Sequence, residues 1–288
     1  MLQPDAGVLL YTANRDTPAV LAYRQKANGN VVPVVNISGS KTGLNSPDAL
    51  AMDSAGNVYV ANDGANQVEV FAAGAHGNVA PSGLIGGSKS HLGPTEGLAI
   101  DASGNLYVSD YSDNAVTEYA AGARGNVAPI RTIAGSNTKL DTPVGMALDK
   151  KGRLFVANAA GPSIVVFGPA AKGNAHPAFS IAGGNTGLSR PFALAFDSHQ
   201  RLLVADENAG VLVFAKGAKG NVAPLQKITG LSYPTGVTSD AADHIYAADF
   251  EGNSLDVYAS NANGNATPLR KISGAKTLLN NPCYLSLH

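Results

Sequence analysis

Gly77-Asn-Val-Ala-Pro-Ser-Gly-Leu-Ile85 is the stretch on which the fold turns, because it returns five more times along the chain. Its Gly-Asn pair, which reads as a turn, recurs at 29, 77, 125, 173, 220 and 264, in steps of 48, 48, 48, 47 and 44 residues. Three residues beyond each asparagine stands a proline (Pro33, Pro81, Pro129, Pro177, Pro224, Pro268), and four further on an isoleucine (Ile37, Ile85, Ile133, Ile181, Ile228, Ile272). Self-similarity at a fixed period of this length is the signature of a solenoid or propeller.

Working outward from the stretch, each repeat reads as four short strands. The first follows a proline, as in Pro143-Val-Gly-Met-Ala-Leu-Asp149, and ends in a turn such as Asp53-Ser-Ala-Gly-Asn57. Asp at the start of that turn and Gly near its end match hairpin chemistry, since glycine tolerates a positive φ. The second strand is Val58-Tyr-Val-Ala-Asn62 and its copies. The third ends on an aromatic (Tyr23, Phe71, Tyr119, Phe167, Phe214, Tyr258), and the fourth is expected to carry the proline and the isoleucine. Proline belongs on edge strands, so a proline in each outermost strand discourages edge-to-edge pairing, and a monomer is expected. Many strands are apolar at both alternating positions, such as Val211-Leu-Val-Phe214, as strands covered on both faces are. The regular aromatics therefore predict packing between repeats rather than a cofactor site.

The two ends are complementary. Val8 to Asn14 reads as a second strand, offset by 48 residues from its copy ending at Asn62, whereas Pro282 to His288 reads as a first strand. Joining them in one sheet closes a ring, and copy number selects six blades of four antiparallel strands: one all-β, six-bladed propeller over residues 1–288.

Composition narrows the function classes. Hydrophobic residues make up 44% and charged residues 14%, too apolar for a disordered chain. A net charge of −1 gives no global field toward nucleic acid, so no nucleic-acid partner is expected. The single cysteine, Cys283, excludes an internal disulfide; it reads as a buried small residue at a strand start. No apolar run is long enough to span a membrane, and Met1 to Gly7 has no secretory leader pattern.

Residues that break the repeat on the face formed by the loops before each first strand and after each second strand are the candidate site. The second residue of the first strand is Asp48, Glu96, Val144, Phe192, Thr235 and Cys283 in successive copies. Asp48 and Glu96 fall on adjacent blades near the axis, where two carboxylates could hold Ca2+ or another divalent cation. Tyr111, Tyr233, Phe250 and Tyr284 lie outside the periodic aromatic positions and are candidate ligand-stacking residues. His91 is the one histidine placed on this face, and with Glu96 it is the candidate acid–base group. The asparagine or aspartate ending each second strand (Asn14, Asn62, Asp110, Asn158, Asp206, Asp249) is expected to stabilise the following turn. No Ser-His-Asp order, nucleophile elbow, phosphate loop or zinc spacing is present.

Pro94-Thr-Glu-Gly-Leu-Ala-Ile-Asp-Ala-Ser-Gly-Asn-Leu-Tyr-Val-Ser-Asp110 resembles the NHL repeat, and the resemblance recurs in every copy. It implies the propeller fold. It leaves function open, since propellers of this kind include protein- and RNA-binding modules, lyases and secreted bacterial proteins. A secreted or periplasmic bacterial origin, with any signal outside this sequence, is an expectation of the resemblance. The chain is more distantly similar to SMP-30/gluconolactonase-like hydrolases, whose Glu-Gly-Pro-x-Trp metal segment it lacks, having no Trp. The reading that follows is a binding propeller that holds a small molecule or a protein or peptide partner at the axial mouth. The alternative is a metal-dependent lyase or lactonase there, with Asp48 and Glu96 as ligands and His91 as base.

Overall fold

The structure, a computed structural model, describes residues 7–288; residues 1–6, most of the segment searched for a leader, lie outside the described residues. Six four-stranded antiparallel sheets form the blades of one propeller. In chain order the strands are β1 (Leu9–Asn14), β2 (Ala19–Arg24) and β3 (Val35–Ser38); β4 (Pro47–Met52), β5 (Val58–Asn62), β6 (Gln67–Phe71) and β7 (Gly83–Ile85); β8 (Thr95–Ile100), β9 (Leu106–Asp110), β10 (Ala115–Tyr119) and β11 (Arg131–Ala134); β12 (Pro143–Leu148), β13 (Leu154–Asn158), β14 (Ser163–Phe167) and β15 (Phe179–Ala182); β16 (Pro191–Phe196), β17 (Leu202–Asp206), β18 (Gly210–Phe214) and β19 (Gln226–Ile228); β20 (Pro234–Ser239), β21 (Ile245–Asp249), β22 (Ser254–Tyr258) and β23 (Arg270–Ser273); and β24 (Pro282–Leu287). Blades 2 to 6 take four consecutive strands each, from β4 onward, and blade 1 has the order β24-β1-β2-β3. The ring is therefore closed by the chain's two ends: Leu9 N–H donates to His288 O at 2.8 Å and His288 N–H to Leu9 O at 3.0 Å.

The inner strands β4, β8, β12, β16, β20 and β24 contact one another in a ring about the axis. Their crowding explains two glycines. A Cβ on Gly97 would lie 2.1 Å from Val144 O, and one on Gly145 would lie 2.1 Å from Phe192 O; only a bare backbone lets the neighbouring strand approach so closely. The aromatics that end the third strands, together with Tyr59, Tyr107, Phe155 and Tyr246 of the second strands, are buried between blades, as their periodicity predicts.

Two expectations need correction. The six prolines are not in the fourth strands: Pro33 precedes β3 and Pro81 precedes β7. In each blade the residue after the proline makes the first ladder bond, as when Ser82 N–H donates to Val70 O at 2.7 Å. Proline thus occupies the last position at which its missing N–H interrupts nothing. Nor do the Gly-Asn pairs form turns. Each glycine bridges in parallel to the fourth-strand isoleucine of the preceding blade, Gly77 to Ile37 and Gly125 to Ile85, and Gly29 bridges to Ile272 across the ring closure. The asparagine then caps that blade's exit: Lys41 N–H donates to Asn78 Oδ1 at 2.7 Å. The motif that betrays the repeat is an inter-blade clasp, which covers each outer strand edge.

Candidate functional site

Every first strand carries a register shift at its second residue, or, in blade 1, over Cys283 to Ser286 opposite Tyr11/Ala13. Such bulges re-aim side chains. Here they serve the residues singled out as Asp48, Glu96, Val144, Phe192, Thr235 and Cys283. The end of each second strand holds the loop above it: Asn45 N–H donates to Asn62 Oδ1 at 2.6 Å, Gly93 N–H to Asp110 Oδ2 at 2.8 Å, and Asn280 N–H to Asn14 Oδ1 at 2.7 Å. These side chains are structural, and the next residue in each copy is free to vary: Arg15, Asp63, Tyr111, Ala159, Glu207 and Phe250.

The two series meet in a cavity of about 300 Å³ at the axial mouth, lined by Arg15, Glu96, Arg190, Phe192, Tyr233 and Phe250, among others. Arg15 Nη1 lies 2.9 Å from Asp48 Oδ1 and its Nη2 3.8 Å from Asp63 Oδ2. Asp48 is fully buried. Burial outweighs Arg15 and, with Glu96 and Asp63 nearby, raises its pKa to about 8. Its second oxygen, Oδ2, is buried without a hydrogen-bond partner. Glu96 is pushed up to about 7, by burial first and then by Asp63. Among the described residues it makes no hydrogen bond and no close ion pair, although the Arg15 and Arg190 guanidiniums lie near enough to pull its pKa down in part. Across the cavity Arg190 Nε pairs with Glu207 Oε2 at 2.9 Å, and Tyr233 O–H donates to the same oxygen at 2.5 Å. The rings of Tyr233 and Phe250 are 5.8 Å apart.

The structure brings most of the candidates to this one face but not to one role. Glu96, Tyr233 and Phe250 line the cavity. Tyr111 is close enough to feel Asp63, Glu96 and Asp48, and burial, the larger cause, raises its phenol. Asp48 stands behind Arg15, away from the opening. Tyr284 is not a wall of the mouth. It is buried, its O–H donates to Phe192 O at 3.4 Å and its ring lies 5.6 Å from that of Phe192. It starts in blade 1 and reaches past blade 6 to Phe192 of blade 5. At its place in the inner strand the other blades have Ala49, Gly97, Gly145, Ala193 and Gly236, too small to fill the axis. Its φ of 47° puts it in the left-handed region, a cost that the packing offsets. We expect Tyr284→Ala to lower stability by about 3 kcal/mol, a large-to-small core loss with the Cβ strain at that φ unchanged. Urea unfolding of the variant measures the loss; an unchanged midpoint would mean that the ring does not support the axis.

His91 is exposed and lines a groove with Asp113, Ala115, Thr117 and Pro129 against the outer strands β10 and β11. Only four residues of chain separate it from Glu96, yet that stretch crosses from the blade's periphery to the axis, so the two do not form an acid–base pair. The metal candidates also lack support around them. The ion partner of Asp48 is Arg15, and the one set of three possible ligands gathered within 4.8 Å among the described residues is Asp197, His199 and Asp243, near the first-to-second turns. There Asp197 already binds the Arg201 guanidinium at 2.5 Å and Asp243 binds His199 at 2.6 Å. Sequence reasoning missed Arg190, and it placed Arg15 and Glu207 in the variable loops of this face without making them site residues. The signal for Arg15 and Glu207 is their place directly after the second-strand Asn or Asp.

No protein-family model matches the chain, and no curated protein matches it. Solved structures do. A protein of unknown function from Bacteroides caccae superposes with a TM-score of 0.69 at 11% identity, covering 98% of this chain and 99% of that one. A chain of a nidogen/laminin complex gives 0.68 at 17% identity, covering 98% of both chains. Virginiamycin B lyase from Staphylococcus aureus gives 0.58 at 16% identity, covering 87% of this chain and 76% of that chain. At these identities the likeness establishes the β-propeller fold alone. Among the described residues, no helix is long and apolar enough to cross a membrane.

Proposed function

We propose that this protein is an NHL-type binding propeller that takes a small molecule or a peptide segment at its axial mouth, with a hydrogen-donating or cationic group of the ligand on Glu96. The observation that carries the reading is Glu96 itself, a carboxyl in a concave cavity with no hydrogen bond or close ion pair among the described residues. Buried polar groups in a finished core are hydrogen-bonded, so a carboxylate left open toward a cavity is a place for a ligand's ammonium or hydroxyl. Phe192, Tyr233 and Phe250 supply apolar and aromatic wall for the rest of the ligand. Propellers of this shape include a chain found in a nidogen/laminin complex, which fits use of the fold for a partner.

The catalytic alternative draws less support. A divalent cation such as Ca2+ on Asp48 and Glu96 would have to displace the Arg15 guanidinium, and among the described residues no third ligand is gathered within 4.8 Å beside them. A histidine-to-alanine variant of the similar lyase is described as catalytically inactive, whereas among the described residues no histidine lines the axial cavity.

The test is a thermal-shift screen of small amines, polyols and short peptides against the wild type, Glu96→Gln and Phe250→Ala. At least one class is expected to raise the wild-type midpoint. Its affinity should fall about tenfold or more in Glu96→Gln, the usual worth of a hydrogen bond to a charged group. Added Ca2+ or EDTA should change neither stability nor binding. Ligands that bind all three proteins equally would remove the axial mouth as the site.

A further inference from the structure

On the opposite face, between blades 4 and 5, lies a cavity of about 320 Å³. Its floor and wall are Phe155, Phe196, Ile181 and Leu202, and its rim holds Lys150, Lys151 and Lys216. The rings of Phe155 and Phe196 meet edge to face at 5.0 Å. The lysines and Phe155 depart from the repeat. Where Lys150-Lys151 stands, the other blades have Ser54-Ala55, Ala102-Ser103, Ser198-His199 and Ala241-Ala242. Where Lys216 stands, they have Ala73, Ala121, Pro169, Ser260 and Gln25. At the place of Phe155 four blades carry tyrosine, and the hydroxyls of Tyr59 and Tyr246 reach the aspartate of their own turn. Phe155 has no hydroxyl, so this wall stays apolar.

The charges do not cancel. Arg153 is satisfied by Asp149, with Nε and Nη2 at 2.7 and 2.6 Å from Oδ2, and stacks over Phe155 and Phe179. Among the described residues the three lysine ammonium groups have no ion-pair partner, although the chain as a whole carries a net charge of −1. Three like charges around one apolar hollow repel each other and are relieved by an anion. They come from two different blades, on the β12–β13 turn and the turn after β18, so their convergence is a property of the assembled ring rather than of a local charge run.

We propose that this cleft is a second binding site, separate from the axial mouth, for a small amphipathic anion: an aromatic or branched apolar body seated on Phe155, Phe196 and Leu202, with a carboxylate, sulfonate or phosphate held by Lys150, Lys151 and Lys216. The apolar body accounts for the hollow and the anionic group for the lysines; neither a neutral apolar compound nor inorganic phosphate alone satisfies both.

The probe is 8-anilinonaphthalene-1-sulfonate, followed by its fluorescence, with N-phenyl-1-naphthylamine as the same ring system without the sulfonate. The wild type is expected to bind the sulfonate saturably at one site with a Kd of roughly tens of micromolar, about what a ligand of that size reaches. The affinity should fall with added salt. In the triple variant K150A/K151A/K216A, whose exposed substitutions leave the fold intact by circular dichroism, Kd should rise about tenfold or more. Phe196→Ser, the residue blade 6 has at Ser239, should weaken both probes. Glu96→Gln and Arg15→Ala should leave sulfonate binding unchanged. The proposal is overturned by non-saturable binding, by a Kd unchanged in the triple lysine variant, by equal binding of the neutral compound, or by loss of binding in the axial variants instead.

Discussion

A chain ending at Asn281 should show no cooperative unfolding transition, because it lacks the strand that closes the ring. β24 supplies the inner strand of blade 1, pairing Leu10 with Leu287, Tyr11 with Ser286 and Ala13 with Cys283. Without it β1 exposes its inner edge, and an unpaired edge invites intermolecular pairing. The truncation also removes Leu285 and Leu287, which pack with Leu10, Leu21 and Tyr23 of blade 1 and with Tyr246, Leu255 and Ile272 of blade 6. Blades 1 and 6 would thus lose their shared core as well as a strand, and Tyr284 would go with them. The loss exceeds the roughly 5–15 kcal/mol that separates a folded domain from its unfolded chain. The control is a circular permutant that links His288 to Gly7 and opens the chain at Gly104, in an exposed turn. It keeps every strand pair and should unfold cooperatively near the wild-type midpoint. A truncated chain as stable as the permutant would mean that the blades do not depend on ring closure.

The complementary ends were readable because a strand's place in the repeat is marked by its own residues: Val8 to Asn14 carries the pattern of a second strand and Pro282 to His288 that of a first. The mouth was readable in part for the same reason. Substituting a residue into a sixfold series leaves a mark, and Asp48, Glu96, Tyr233 and Phe250 fall where the series predicts. Three things were not readable, each for a physical cause. His91 is near Glu96 along the chain, but the loop between them runs from the rim to the axis. The placement of the prolines depends on which N–H makes the first ladder bond, which spacing alone does not say. The role of Tyr284 depends on what stands across the axis. A tyrosine in a series of Ala and Gly announces that something is filled, but not that it is filled from blade 1 against Phe192 of blade 5. The Gly-Asn pairs show the same limit from the other side: their period is plain, and the partner they clasp belongs to the previous repeat.

Stability should fall as pH rises from about 5 to 8.5, against the usual expectation for a chain rich in acidic turns. Asp48 is raised from 3.8 to about 8, Glu69 from 4.5 to about 7, and Glu96 from 4.5 to about 7, burial being the largest cause for each. Glu69 lies in β6 with Oε1 accepting from Asn62 and Gln67 at 2.8 and 2.6 Å and Oε2 buried without a partner. Between the unfolded and folded values the native chain holds protons that the unfolded chain has released. The stability linked to those protons is complete below about pH 4 and is lost as pH passes through 7 and 8. Asp53, Asp149, Asp240 and Asp243 act in the opposite sense. Although burial, the largest contribution, opposes the change, hydrogen bonds in their turns outweigh it and lower each of them, so their contribution is present above about pH 4 and is lost in acid. A maximum near pH 5 follows. Asp48 and Glu69 together should cost on the order of 3–5 kcal/mol between pH 5 and 8.5, at about 1.4 kcal/mol for each tenfold change in proton affinity. Urea midpoints measured across this range should show the decline, and the isosteric Asp48→Asn should flatten it, being more stable than the wild type at pH 8.5 and no more stable at pH 5, where the wild-type carboxyl already carries its proton. If the midpoint instead rose steadily to pH 8.5, Asp48 would be an ordinary ionised partner of Arg15. The two charges would then cancel at the base of the mouth, and Glu96 would remain the anchor for a cationic ligand.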